Sequence, residues 1–349
     1  MTTVELAGRR IGSGMPCFVI AEAGVNHNGD LDMALRLIDA AVEAGADAVK
    51  FQTFDADRLA TVDAPKAAYQ KVTTGTVESQ HEMLRRLQLD AEAHVRLQRH
   101  CAERGILFLS SPFDERAADL LDGLDVAGFK IPSGELTNLP FLAHVAAKRR
   151  PIILSTGMAD MAEVAVAVSH IAAAGCTDVI LLHCLSNYPA DPVEANLRAM
   201  AAMTAAFYLP VGYSDHTEGV AVALAAVALG AVMIEKHFTL DRTLPGPDHP
   251  ASLEPAELAD LITGIRTVER ALGDGVKKSR PSEAGTRATM RKSLVATRDL
   301  SAGTLLTAAD ITAKRPGTGL SPAVLPYLLG RRTAVAVAAG APIDWALLE

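Results

Sequence analysis

Eight short apolar, β-rich runs alternate with longer helical patterns between residues 17 and 273, and no other feature narrows the fold of this chain as far. The runs are CFVIAEAG (17–24), DAVKFQ (47–52), LFLSSPF (107–113), AGFKIPSG (127–134), PIILSTGM (151–158), VILLHCLS (179–186), VGYSDHT (211–217) and VMIEKHF (232–238). Continuous apolar strands alternating with helices predict an α/β fold, and eight of them predict a (β/α)8 TIM barrel. An open doubly wound sheet usually has fewer strands and often a glycine-rich phosphate loop. No GxGxxG or Walker-type loop occurs here, and the GSG at 12–14 is a weak signal. Between the first two strands, Leu31, Ala34, Leu35, Ile38 and Val42 fall at helical spacing, with Asp30 as N-cap and Gly45 as stop. The apolar run 220–234 is too short to cross a bilayer and reads as a buried helix turning into a strand.

The 349 residues are enough for one large domain and a small second one. We expect the barrel at 1–280, a linker at 281–292 within the polar stretch that begins at Asp274, and a small β-rich unit at 293–349. That unit contains an internal echo, SAGTLLTAADI (301–311) against AAGAPIDWALL (338–348), and is marginal alone, so it is expected to pack on the barrel or a second subunit. A net charge of −8 argues against nucleic-acid or anionic-membrane partners but not against a locally bound anion. Cys17, Cys101, Cys176 and Cys184 form no CxxC pair and read as reduced core residues. No basic-then-apolar leader opens the chain, and the expected location is cytoplasmic.

In such a barrel the chemistry sits at the carboxyl ends of the strands. Those ends are polar throughout. They carry Glu22; Lys50 and Gln52; Ser110 and Ser111; Lys130, Ser133 and Glu135; Ser155 and Thr156; His183, Ser186, Asn187 and Tyr188; Ser214, Asp215 and His216; and Glu235, Lys236 and His237. Alternation puts Ser214 with His216, and Glu235 with His237, on common faces. Two histidines at matched ends of adjacent strands suit a catalytic metal ion with open positions, and Glu235 is placed to orient an imidazole. Lys50 and Lys130, with the hydroxyls of Ser111, Ser133 and Ser155, suit a phosphate; the bland alternative pairs each lysine with Glu22 or Glu135.

Several ordered stretches resemble the sialic acid (N-acetylneuraminate) synthases: FVIAEAGVNHNGD, AGADAVKFQTF, FLSSPFD, FKIPSGELTNLP, PIILSTGM, LLHCLSNYP, GYSDHTEG, IEKHFTLDRTLPGPDH and KRPGTG. The resemblance implies that phosphoenolpyruvate condenses with N-acetylmannosamine or a related N-acyl amino sugar, with a legionaminic-type diamino acceptor or a surface-polysaccharide precursor as alternatives. It implies that His216 and His237 hold a divalent ion, Mn2+ with Mg2+ or Co2+ as substitutes. Lys50, Ser111, Lys130, Ser133 and Ser155 match phosphoenolpyruvate-binding positions. Glu22, Gln52, Glu135, Tyr188 and Asp248 match residues around the sugar and the reacting atoms, with Glu22 and Glu135 as the candidate catalytic carboxylates. The tail resembles a SAF (antifreeze-like) domain whose Arg315 enters the partner subunit's site, which implies a domain-swapped homodimer. Where well-known members read HCTNIYP this chain reads HCLSNYP, so Ser186 stands at their phosphate-contacting asparagine and Asn187 is displaced by one residue, enough to reverse a strand side chain. The rivals are a metal-dependent isomerase or aldolase, which leaves the lysines and serines without an anion, and a non-catalytic carbohydrate-binding protein.

Overall fold

A computed structural model describes residues 3–349 and divides the chain into two compact units, the first ending at Gly273 and the second spanning Asp274–Glu349. The division comes where the helix Pro255–Leu272 stops. Gly273 there has φ 64° and ψ −154°, a conformation essentially reserved for glycine. The stretch expected as a linker is not extended throughout: it holds a short helix, Ala284–Met290.

A hairpin of β1 (Val4–Leu6) and β2 (Arg9–Ile11) precedes the barrel. The eight predicted strands follow as β3 (Phe18–Gly24), β4 (Ala48–Thr53), β5 (Leu107–Pro112), β6 (Phe129–Ile131), β7 (Ile152–Ser155), β8 (Val179–Cys184), β9 (Val211–Asp215) and β10 (Met233–His237). They form one parallel sheet in the order β5-β4-β3-β10-β9-β8-β7-β6, a nearly closed TIM-like barrel in which β5 and β6 lie side by side. Helices cover its outer face.

Period-two alternation sorts each strand between two cores. Val19, Ala21, Val49, Phe51, Phe129, Leu154, Leu181 and Ile234 face the helices. Ile20, Ala48, Leu109, Ile153, Ile180, Leu182 and Met233 fill the barrel interior, joined by Val4, Leu6 and Ile11 of the hairpin. The hairpin thus plugs the amino-terminal end, a role that two three-residue strands gave no signal for in the sequence. One pleat further along, the interior positions become Glu22, Lys50, Ser111, Lys130, Ser155, Cys184, Ser214 and Glu235, and they line a cavity. The apolar layer below leaves these polar groups one direction to face.

The first barrel helix, Leu31–Ala44, has the expected caps: Asp30 accepts from the Met33 N–H at 3.0 Å, and Gly45 takes φ 84°. Its deepest line is Ala34, Leu37, Ile38 and Ala41, with Leu31, Leu35 and Val42 packed along its flank. The buried stripe is rotated from the expected one toward Leu37 and Ala41, leaving Leu31, Leu35 and Val42 half-buried at its edge. The run 220–234 divides as read, into helix Ala221–Ala228 and then β10. Among the described residues no helix is long and apolar enough to cross a membrane.

The second unit pairs β11 (Ser293–Ala296) with β12 (Ile311–Lys314) over a core of Leu294, Leu300, Leu306, Ile311, Leu328, Val337 and Ile343. The sequence echo is structural: Gly303 and Gly340 occupy matching left-handed turns, φ 78° and 80°, and Leu300 bridges Val337.

Inside the barrel, a Cβ on Gly212 would lie 2.4 Å from the Met233 carbonyl and 2.7 Å from Leu182 Cδ2. Gly212→Ala should therefore destabilise the fold by about 1–3 kcal/mol, as overpacking does. Urea unfolding of the variant checks this; an unchanged midpoint would mean that β9 and β10 stand further apart than described.

Candidate active site

The cavity at the carboxyl ends of the strands has a volume of about 410 Å3, within the range of small-molecule sites. Four charges form its floor. Lys50 Nζ lies 2.7 Å from Glu22 Oε2 and 3.8 Å from Glu235 Oε2, and donates to Ser111 Oγ at 3.0 Å. Lys130 Nζ lies 3.4 Å from Glu235 Oε1, which also accepts from Ser214 Oγ at 2.9 Å. All four charged side chains are at most 4% exposed. Burial opposes charge at each, and the neighbours decide the result. Burial lifts the Glu22 carboxyl to about 7 against the pull of Lys50. Burial also depresses the Lys130 amine. At Lys50 it is outweighed by Glu22 and Glu235, which hold the amine above its ordinary value. At Glu235 it is outweighed by Lys130 and Lys50, which hold the carboxylate below its own.

Beside Lys130 lies a cradle of hydroxyls. Ser133, on the turn after β6, accepts from the Gly157 N–H at 2.9 Å and stands 3.2 Å from Cys184 Sγ. A Cβ on Gly157 would come within 2.4 Å of Ser186 Oγ and 2.9 Å of both Cys184 Sγ and Ser133 Oγ, so only glycine lets these groups meet. Ser155 Oγ is buried with no hydrogen-bond partner. Ser186 lines the cavity and also a neighbouring surface depression, whereas the exposed Asn187 lines only the depression.

His216 and His237 do converge, with ring centroids 5.3 Å apart. The His216 Nδ1–H donates to the Leu185 carbonyl, which leaves Nε2 with its lone pair. Tyr188 covers both rings, 4.1 Å from His216 and 5.4 Å from His237, and Tyr69 stacks behind it at 4.9 Å. Burial lowers the pKa of His216 to about 4 and that of His237 well below the ordinary range, so both are neutral at pH 7. Nδ1 of His237 is buried without a partner. Two neutral imidazoles with nitrogens left for a ligand fit a divalent ion. Among the described residues no group of three or more His, Cys, Asp or Glu side chains gathers around such a point, so further ligands would come from water or substrate. Glu235 does not orient an imidazole as expected from its spacing. Its carboxylate turns to Ser214 and the lysines, because two buried ammonium groups attract it more strongly than a neutral ring.

Gln52 Nε2 approaches Glu22 Oε1 at 3.5 Å, and Asp248 lines the cavity with Oδ1 unpartnered, its carboxyl raised by burial to about 6. Glu135 is not among the lining residues: its Oε2 accepts from Asn138 Nδ2 at 2.7 Å, and burial together with Glu115 and Asp114 raises its pKa. Arg315 is exposed in the second unit, its Nε donating to the Met290 carbonyl at 3.1 Å. His183 faces outward and bonds the Ala195 carbonyl at 2.8 Å.

Sequence reasoning missed Cys184 as a lining group and the contribution of residues 56–87. The latter supply Leu59, Tyr69, Gln70, Met83, Leu84 and Leu87 to the wall. The available signal was the length of the connection from Thr53 to Leu107, far more than one helix needs. Cys184 shares the inward face with Ile180 and Leu182, a parity readable in the sequence.

The two raised carboxyls that line the cavity, Glu22 and Asp248, hold a proton more tightly in the folded chain than in the unfolded one. Their favourable contribution to stability is therefore complete below the ordinary carboxylate range and is lost as pH rises through about 6 for Asp248 and about 7 for Glu22. Infrared difference spectra should show two buried carboxyl bands disappearing at these pH values, the first absent from Asp248→Asn and the second from Glu22→Gln. Both bands titrating near pH 4 would mean that the floor is well hydrated.

Residues 37–277 match the NeuB family and residues 291–349 match the SAF domain. The N,N'-diacetyllegionaminic acid synthase of Legionella pneumophila is 47% identical over 342 residues, covering 97% of this chain and 96% of its own. The enzyme of that name from Campylobacter jejuni is 50% identical over 315 residues, covering 90% of this chain and 94% of its own. The crystal structure of N-acetylneuraminic acid (sialic acid) synthetase from Leptospira borgpetersenii superposes with a TM-score of 0.72 at 35% identity, covering 82% of this chain and 95% of that one. A barrel mouth that keeps two lysines, a hydroxyl cradle and a histidine pair, in a chain this close to named synthases, identifies a transferase-type enzyme of the NeuB family with a C-terminal SAF domain.

Proposed function

We propose that this enzyme condenses phosphoenolpyruvate with the open-chain aldehyde of an N-acyl amino sugar and water, giving a nonulosonic acid and phosphate. One observation carries the reading: two buried lysines beside a cradle of hydroxyls and a neutral histidine pair share a single cavity. A metal-dependent isomerase or aldolase acting on an uncharged substrate would use the histidines but leave the lysines and serines without an anion.

Lys50 and Lys130 supply charge to the phosphate and carboxylate of phosphoenolpyruvate, while Ser133, Ser155 and Ser186 supply directional hydrogen bonds. Gln52, Tyr188 and Asp248 surround the sugar, which holds its aldehyde carbon against C3 and replaces a bimolecular encounter with a positioned one. A divalent ion, Mn2+ by preference, held by His216 and His237 would polarise the aldehyde oxygen. As C3 bonds to the aldehyde carbon, C2 becomes cationic, and the Glu22 carboxylate lies at the floor to stabilise it. Water adds to C2, one of its protons passing by way of Glu22 to the alkoxide formed from the aldehyde, and the C2–O bond breaks as the remaining hydroxyl proton leaves with the phosphate. The bridging oxygen leaves with phosphate and the water oxygen becomes the keto oxygen. Glu135, turned toward Asn138 in this structure, takes the outer role at the sugar. The same reading makes the enzyme cytoplasmic and its working form a homodimer in which each SAF domain supplies Arg315 to the other subunit's barrel.

Two relatives named for N,N'-diacetyllegionaminic acid favour a di-N-acetyl acceptor, since phosphoenolpyruvate brings no nitrogen and both acetamido groups must arrive with the sugar. N-acetylmannosamine is the second reading, favoured by the likeness to the Leptospira sialic acid synthetase.

Phosphate release should require phosphoenolpyruvate, sugar and metal together, stop in EDTA and in His216→Ala, and be faster with a 2,4-diacetamido hexose than with N-acetylmannosamine. Phosphoenolpyruvate carrying 18O at the bridging position should yield labelled phosphate; label kept in the sugar product would exclude C–O cleavage. Lys130→Met should lower kcat/KM by about 10^2–10^3-fold, the scale of one lost buried electrostatic contact. Because the ionised form of Glu22 is the active one, kcat/KM should rise with pH through about 7. Glu22→Gln should lose that limb, and a limb unchanged in the variant would assign it to another group.

A further inference from the structure

Directly behind the two histidines, on the outer face of the same strands, lies a second pair of charged residues that the chemistry does not use. Asp215 precedes His216 and Lys236 precedes His237, and the two are register partners across β9 and β10. They are 0% and 1% exposed. Lys236 Nζ lies 2.8 Å from Asp215 Oδ2 and also donates to the Thr217 carbonyl. The other carboxylate oxygen, Asp215 Oδ1, accepts from the Thr217 N–H at 3.0 Å and the Thr217 hydroxyl at 2.8 Å. His216 is thus bracketed, since the residues before and after it are bound to each other and both are bound to the strand that carries His237. Its own carbonyl accepts from the Ala190 N–H at 2.8 Å.

A buried ion pair is weak evidence for stability, because well-packed apolar residues of similar volume serve as well or better. What such residues cannot supply is direction. Five contacts converge on one turn and fix the backbone from which the His216 ring projects, while alternation sends that ring and the His237 ring to the opposite face.

We infer that Asp215, Lys236 and Thr217 form a positioning device that sets the spacing of His216 and His237 and so the affinity of the site for a divalent cation. The inference rests on the two histidines being the metal site. None of the three residues lines the cavity; they act through the strand ends.

The test measures Mn2+ binding by electron paramagnetic resonance, phosphoenolpyruvate binding by calorimetry and Tm, on the full chain without sugar. The double variant Asp215→Leu/Lys236→Met removes both charges and leaves neither unpaired. It should keep a Tm near or above that of the parent and bind phosphoenolpyruvate within about 2-fold, yet weaken Mn2+ binding by about 10–100-fold, the range found for residues that orient metal ligands. A folded double variant with the parental Mn2+ affinity overturns the inference. If the double variant does not fold, Thr217→Val decides: it keeps the shape and loses only the hydroxyl, and should weaken Mn2+ binding several-fold, whereas an unchanged affinity again overturns the inference. A parent chain that binds no Mn2+, or His216→Ala that binds it as well as the parent, overturns the metal reading itself and this inference with it. Parental binding lost in His216→Ala but kept in the double variant overturns the inference alone.

Discussion

Two lysines and two glutamates share a floor from which water is largely excluded, and the arrangement of the mouth follows from their need to neutralise one another. An isolated charge at such a depth is very unfavourable. Glu22, Lys50, Lys130 and Glu235 are tolerated because each has an opposite charge within 4 Å. The balance is uneven: Glu235 is held ionised by both lysines, while Glu22 titrates near neutrality. An anion entering this floor finds ammonium groups already desolvated, which is the condition under which electrostatic contacts are strongest.

Strand register delivers those four side chains to one level. Glu22 faces Lys50 across β3 and β4, and Ser214 faces Glu235 across β9 and β10. A slip of one residue in any of these strands would send a charge into the helix layer and an apolar side chain into the mouth. The interior belt of Ile20, Leu109, Ile153, Ile180, Leu182 and Met233, closed from below by the hairpin, opposes that slip. The hydrophobic effect thereby sets the geometry of the polar site. The Asp215–Lys236 pair adds to the register on the outer face what Ser214–Glu235 adds on the inner one.

The number and order of the barrel strands, the lysines, the serines and the histidine pair were all legible in the chain. Each strand is a short apolar run, and each functional residue occupies the end of one. Such patterns are local, and alternation settles which face a residue takes. The caps at Asp30 and Gly45 were legible for the same reason. The roles of Glu235 and Glu135 were not, because a carboxylate's partner is decided by which buried cations come nearest in three dimensions. Spacing offered Glu235 an imidazole, and tertiary packing gave it Ser214 and Lys130.

By itself the sequence determined the periodicity, and with it a parallel barrel, the polar strand ends and the resemblance that the NeuB and SAF matches bear out. Tertiary structure alone decided that the hairpin seals the base, that Tyr69 and the long excursion after β4 wall the cavity, and that Cys184 and Ser186 meet over Gly157. It also decided which acids keep their protons. The reason is physical: a pleat is written in neighbouring residues, whereas burial, proximity and the pKa values they set depend on residues that meet only when the barrel closes.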